Sequence, residues 1–146
     1  MGRVADLLAK KGSQVYTIER TATVYEAVKK MVELHTGSLL VTKGQEICGI
    51  ITERDYLRYI VLEGRTSKDT EVREIMTANV ICVDPNYLVD ECMAIMTEKR
   101  IRHLPVMDGG KLVGLVSIGD LVKQVSHDRK CDIQYLTDYI TGKYPA

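Results

Sequence analysis

The chain lacks an excess of charge of either sign: 20 Lys and Arg stand against 20 Asp and Glu in 146 residues. That balance excludes a general electrostatic pull toward nucleic acid or an anionic membrane, so any anion site has to be local. Missing too are the roughly 20 consecutive apolar residues that cross a bilayer and the apolar region of a signal peptide. A soluble intracellular protein is expected. Cysteine is scarce, and Cys48, Cys82, Cys92 and Cys131 include no Cys-x-x-Cys pair. They read as reduced thiols in a reducing compartment, not as a disulfide framework or a zinc site. There is no Gly-x-x-x-x-Gly-Lys-Ser/Thr loop, no metal-ligand cluster and no evident Ser/His/Asp or Cys/His set. An enzyme is therefore not expected, and neither is a bound metal.

What is present is a duplication. Shifting the chain on itself by 65 residues aligns Val15 to Ile60 with Val80 to Val125 without a gap, with identities at Val24/Val89, Met31/Met96, Leu39/Leu104, Gly49/Gly114 and Asp55/Asp120. Two copies of that length argue for a pair of small α/β units rather than a solenoid. A chain of 146 residues that is 45% hydrophobic and 27% charged has the makings of one globular body. The expected boundaries are 1–65 for the first repeat with its lead-in, 66–126 for the second, and 127–146 for a C-terminal helix and tail.

Each copy reads as strand, helix, strand, strand, helix. A short helical lead-in, Val4 to Lys10, has a counterpart at Val72 to Met76. Val15 to Ile18 is a strand. Thr23-x-x-Glu26 has capping-box form and precedes Val24, Ala27, Val28, Met31 and Leu34 at helical spacing. Two apolar runs around a Lys43-Gly44 turn form a hairpin, and Asp108-Gly109-Gly110 marks the same hairpin in the second copy. Three strands and two helices leave one sheet face uncovered, so the two three-stranded sheets are expected to pack together as a pseudo-twofold pair. Beyond the repeats, Ile133, Leu136 and Ile140 make a sparse stripe ending at Gly142. Cys92 takes the place of Ala27, which predicts a small buried residue.

Thr52-x-x-Asp55 and Ser117-x-x-Asp120 each mark a helix start. One reading is a cap, in which hydroxyl and carboxylate satisfy the first amides. The other is a nucleoside phosphate site, since a helix start accepts phosphate and a nearby carboxylate accepts both hydroxyls of a ribose. The residues alone leave both open.

Two strand-helix-strand-strand-helix copies, each ending in Gly-aliphatic-x-Thr/Ser-x-x-Asp, with Arg102-His103-Leu104-Pro105-Val106 in the second, resemble a tandem pair of CBS (cystathionine β-synthase) domains, the Bateman module. The resemblance covers about Val4 to Val125 and is similar to stand-alone single-pair proteins of bacteria and plant organelles. It implies adenosine-containing ligands in clefts between the repeats: AMP foremost, with ADP, ATP, NAD or S-adenosylmethionine also within the family's range. By resemblance, Asp55 and Asp120 hold riboses, Thr52 and Ser117 bond ribose or phosphate, and the backbone around Tyr16, Thr17 and Ile81 reads adenine. Ser38, Arg54, Arg102, His103 and Pro105 complete the implied ligand set. The resemblance also implies a homodimer, a regulated partner such as a thioredoxin, and a bacterial cytoplasm or plant mitochondrion as the compartment.

The copies differ in their basic residues. Arg100, Arg102 and His103 align with His35, Gly37 and Ser38, whereas Arg54 aligns with Gly119. Arg102 suits either phosphate or a solvated strand end. His103 suits either ligand or a structural hydrogen bond. Two functions follow: a non-catalytic regulatory module that senses an adenine nucleotide, or a constitutive dimerisation scaffold.

Overall fold

The computed structural model describes residues 2–128, with side chains to residue 125. The stripe around Ile133 and Leu136, Cys131 and the side chain of His127 lie outside the described residues. Two compact units make up the described residues: 15–80 form one, and 2–14 join 81–128 in the other. The lead-in helix α1 (Val4–Lys11) thus packs with the elements after residue 80. Backbone bonds fix it there: Val4 N donates to Tyr87 O (2.8 Å), Ala5 N to Pro85 O (2.9 Å), and Val89 N to Gly2 O (3.0 Å).

In the unit of residues 15–80, β1 (Thr17–Glu19) runs parallel to β2 (Ser38–Lys43), which pairs antiparallel with β3 (Glu46–Thr52). Helix α2 (Val24–Leu34) crosses between β1 and β2. Its start is set by Thr23, whose Oγ1 accepts from Glu26 N at 3.1 Å, and its end by His35 in the left-handed region at φ 54°. Val24, Ala27 and Met31, three and four residues apart, are buried against Leu39, Val41, Ile51, Val72 and Ile75. After β3 come a single helical turn, α3 (Glu53–Asp55), and a π-helix over Tyr56–Val61, closed by Leu62 N donating to Leu57 O at 3.0 Å. The one-turn helix α4 (Val72–Ile75) completes the unit.

The other unit repeats this plan with α5 (Val89–Lys99), β4 (His103–Asp108), β5 (Lys111–Ser117) and α6 (Ile118–Asp128). Its helix ends at Arg100, left-handed at φ 56°, the same device at the aligned position. The hairpin turns through Gly109 and Gly110, both at positive φ, as a two-residue turn between twisted strands requires. Cys92 is fully buried in the core with Met96, Leu104 and Val116, as its alignment with Ala27 predicts. The first strand differs. Here it shrinks to one parallel bridge, Val83 to Val106, because Asp84-Pro85 turns the chain at once, Asp84 Oδ1 accepting from Asn86 N at 2.7 Å.

Candidate functional site

Successive strand residues point to opposite faces, so each hairpin carries one face toward its own core and one away from it. On β2 and β3 the core face holds Leu39, Val41 and Ile51, and the other face holds Ser38 and Leu40, directly opposite Thr52 and Ile50. On β4 and β5 the second face holds His103 and Pro105, directly opposite Ser117 and Leu115. The predicted residues Ser38 and Thr52, and likewise His103 and Ser117, are therefore brought side by side. Pro105 is buried next to them in register, and its carbonyl accepts from Val83 N at 3.0 Å.

Each hairpin ends in the same cap. Thr52 N donates to Asp55 Oδ2 (2.9 Å), Thr52 Oγ1 donates to the same oxygen (3.2 Å), and Asp55 N donates back to Thr52 Oγ1 (3.3 Å). Ser117 N donates to Asp120 Oδ2 (2.8 Å), and Asp120 N to Ser117 Oγ (3.2 Å). A further bond ties each helix start to the entry of the preceding strand: Glu53 N to Gly37 O and Ile118 N to Arg102 O, both 3.0 Å. The cap reading is thus realised in full. These bonds converge on Oδ2 of each aspartate, and a carboxylate has a second oxygen with which to accept.

Electrostatics separate the two copies. Burial raises the Asp55 carboxyl above its ordinary range, opposed by its bonds to Thr52 and by the Arg58 and Arg54 charges. Arg54 itself is exposed. Asp120 instead carries an ion pair: Lys11 Nζ, at the end of α1, lies 2.6 Å from Asp120 Oδ2 and also donates to Leu115 O at 2.7 Å. Burial depresses the His103 imidazole, which Asp120 opposes and the Lys11 and Arg102 charges reinforce. Arg102 is exposed at the foot of β4.

One polar atom stands out. Ser38 Oγ is buried and finds no hydrogen-bond partner among the described residues, a costly state for a hydroxyl. Of the residues expected on an adenine side, Tyr16 packs partly against its unit's core and its carbonyl accepts from Leu40 N at 3.1 Å. The Thr17 carbonyl is taken by Lys30 Nζ, and Ile81 packs against the core of the other unit.

Lys11 is the residue that repeat-based reasoning misses. It lies outside the aligned segment, and its partner is more than a hundred positions away. Only the reach of a helix one turn longer than α4 would signal it.

The CBS domain profile matches residues 4–62 and again 72–127. The chain belongs to the CBS domain family. A mitochondrial CBS domain-containing protein of Arabidopsis thaliana, CBSX3, is 47% identical over 127 residues, 84% of this chain and 62% of that protein. The chain thus spans under two thirds of that relative's length. Among solved structures, a CBS-domain protein of Burkholderia ambifaria is 55% identical with a TM-score of 0.85, covering 87% of this chain and 96% of the other. The CBS domain pair of protein MJ0100, solved with 5′-methylthioadenosine and S-adenosyl-L-methionine, shares the fold at a TM-score of 0.77 and 24% identity, over 88% and 99% of the two chains. The chain thus carries two CBS repeats, and each compact unit holds the hairpin of one with the lead-in segment of the other. No helix among the described residues is long and apolar enough to cross a membrane, and none of their His, Cys, Asp and Glu side chains form a group that could hold a metal.

Proposed function

We propose that the protein is a non-catalytic regulatory module in which each CBS repeat binds an adenosine-containing ligand at its hydroxyl–aspartate cap. The observation that carries this reading is Ser38. A buried hydroxyl without a partner, directly across the strand pair from Thr52, fits a site whose polar groups are completed by a ligand. Asp55 and Asp120 accept the ribose hydroxyls, Thr52 and Ser117 bond ribose or α-phosphate, and Ser38 and His103 are the neighbouring donors. Arg54 and Arg102 supply charge for a phosphate, and Tyr16, Thr17, Ile81 and Pro105 line the adenine side. AMP is the favoured ligand, with ADP, ATP, NAD and S-adenosylmethionine as alternatives. The MJ0100 pair is a precedent for the fold holding adenosyl groups, not for these side chains. Binding energy that differs between two arrangements of the module shifts their populations, which a partner then reads.

Calorimetric titration of AMP, ATP, NAD and S-adenosylmethionine tests the reading. Binding of at least one, lost on replacing both aspartates by alanine, supports it. Unaltered binding by the Asp55→Ala/Asp120→Ala protein overturns the site.

A second reading, a constitutive dimerisation scaffold, is favoured by a different observation. Leu57 and Val61, four residues apart on the π-helix, are 55% and 54% exposed, and Leu62 is 81% exposed. Such a ridge suits a second subunit. No rise in melting temperature with any adenine nucleotide would favour the scaffold, because a ligand bound only by the native state must stabilise it.

A further inference from the structure

The two repeats place their lead-in segments alike, but only one of them carries a lysine to the site. A Cβ on Gly49 would meet Met76 Sδ at 2.6 Å, and one on Gly114 would meet Leu8 Cδ2 at 2.7 Å, so Leu8 and Met76 occupy equivalent places. Three residues further on stand Lys11 in one copy and Asn79 in the other. Helix α1 continues through Lys11, whereas α4 stops at Ile75 and Thr77 bridges to Ile50. The ammonium of Lys11 therefore reaches Asp120, while the corresponding residue of the unit of residues 15–80, Asn79, is an exposed, uncharged amide.

We infer that Lys11 makes the second repeat selective for ligands bearing a 5′-phosphate. The inference rests on the nucleotide reading above. In the structure, Asp120 and Lys11 satisfy each other. A ribose can take Asp120 at Oδ1, leaving the Lys11 ammonium beside it on Oδ2 and on the Leu115 carbonyl. The ammonium, on a side chain 32% exposed, is then placed to meet an anion joined to that ribose. A 5′-phosphate is joined to the ribose and arrives with it. A neutral nucleoside brings no anion, and a 5′-sulfonium brings a second cation.

Space for the phosphate lies alongside. A groove of about 220 Å³ opens beside Asp120, lined by Leu7, Lys10, Lys123 and Gln124, so two further lysines border it. In the unit of residues 15–80, Asn79 stands at the position corresponding to Lys11, and among the described residues Asp55 holds no lysine. The second repeat is thus the phosphate-demanding site and the first the tolerant one.

The test compares AMP with adenosine by titration calorimetry in an Asp55→Ala background, which leaves the second site alone. Parent, Lys11→Met, Lys11→Gln and Lys11→Arg proteins are compared. The parent is expected to prefer AMP. Lys11→Met and Lys11→Gln should each lose about tenfold of that preference, the scale of one charge-assisted hydrogen bond, while Lys11→Arg keeps it. An NMR titration of His103 verifies that the neutral variants are folded with the charge removed, since loss of Lys11 lets the imidazole titrate higher. An unchanged AMP-to-adenosine ratio in folded Lys11→Met overturns the role of Lys11 and leaves the nucleotide reading standing. Tighter AMP binding by that variant also overturns it, because Lys11 would then be a plug. Failure of the parent and of the wild type to bind either ligand overturns both.

Discussion

Gly49 lies so close to Met76 and Thr77 that a Cβ added to it would stand 2.6 Å from Met76 Sδ and 2.8 Å from the Thr77 carbonyl oxygen. The glycine of the repeated motif is thus a packing requirement, because it lets the α4 segment bridge onto β3 through Ile50 and Thr77. Gly49→Ala is expected to cost about 1–3 kcal/mol, the usual scale of overpacking. Gly114→Ala should cost less, since the atoms it meets are the movable end of the Leu8 side chain. Urea unfolding of both variants measures the difference, and a milder effect at Gly49 than at Gly114 would contradict the geometry.

Asp55→Ala and Asp120→Ala each remove the acidic partner of a capping pair as well as the carboxylate proposed to hold a ribose. The cap loss is expected to cost about 0.5–2 kcal/mol. Each variant should remain folded and lose one binding event, which circular dichroism and calorimetry report separately. Since burial raises the Asp55 carboxyl, the proposed ribose binding there should also weaken as pH is lowered toward that raised range.

His103 gives stability a pH dependence near neutrality. Burial holds its folded value below the ordinary 6.5, so the unfolded chain binds more protons in that window. Stability contributed by the neutral imidazole is complete above 6.5 and is lost as pH falls from there through the depressed folded value. Thermal melts from about pH 8 to about pH 5 should show this decline, and His103→Gln should flatten it. An equal decline in the variant would assign the effect to another group.

Cysteine reactivity should follow burial. Cys92 is fully buried, and burial together with Glu91 pushes its thiol up to about 11. Cys82 is exposed, though burial of its sulfur also raises it. A thiol reagent at neutral pH is expected to label Cys82 well before Cys92, and peptide mapping reads the order.

Much of this was legible in the residues. The hairpins followed from Gly44 and Gly109-Gly110 between apolar runs, and α2 and α5 from their buried stripes, because turn chemistry and periodicity act locally. The pairing of Thr52 with Asp55 was legible for the same reason: both partners lie within one helical turn. Three features were not. The π-helix over Tyr56–Val61 has the same apolar spacing as an α-helix would. The shortened strand at Val83 is decided by the turn at Asp84 rather than by the apolar run before it. Lys11 meets Asp120 only because α1 packs with residues beyond 80, and nothing local in Val4 to Lys11 announces that long-range choice.

That packing of α1 orders the protein's birth on the ribosome. Residues 15–80 are contiguous and hold a complete core of their own, so they can close as soon as they have emerged. Val4 and Leu7 precede that unit in the chain, yet their partners Val83, Val89, Leu104 and Leu121 follow it. Helix α1 therefore finds its place only after the unit that follows it has closed, and the Lys11–Asp120 pair forms only once residues on both sides of that unit have been made.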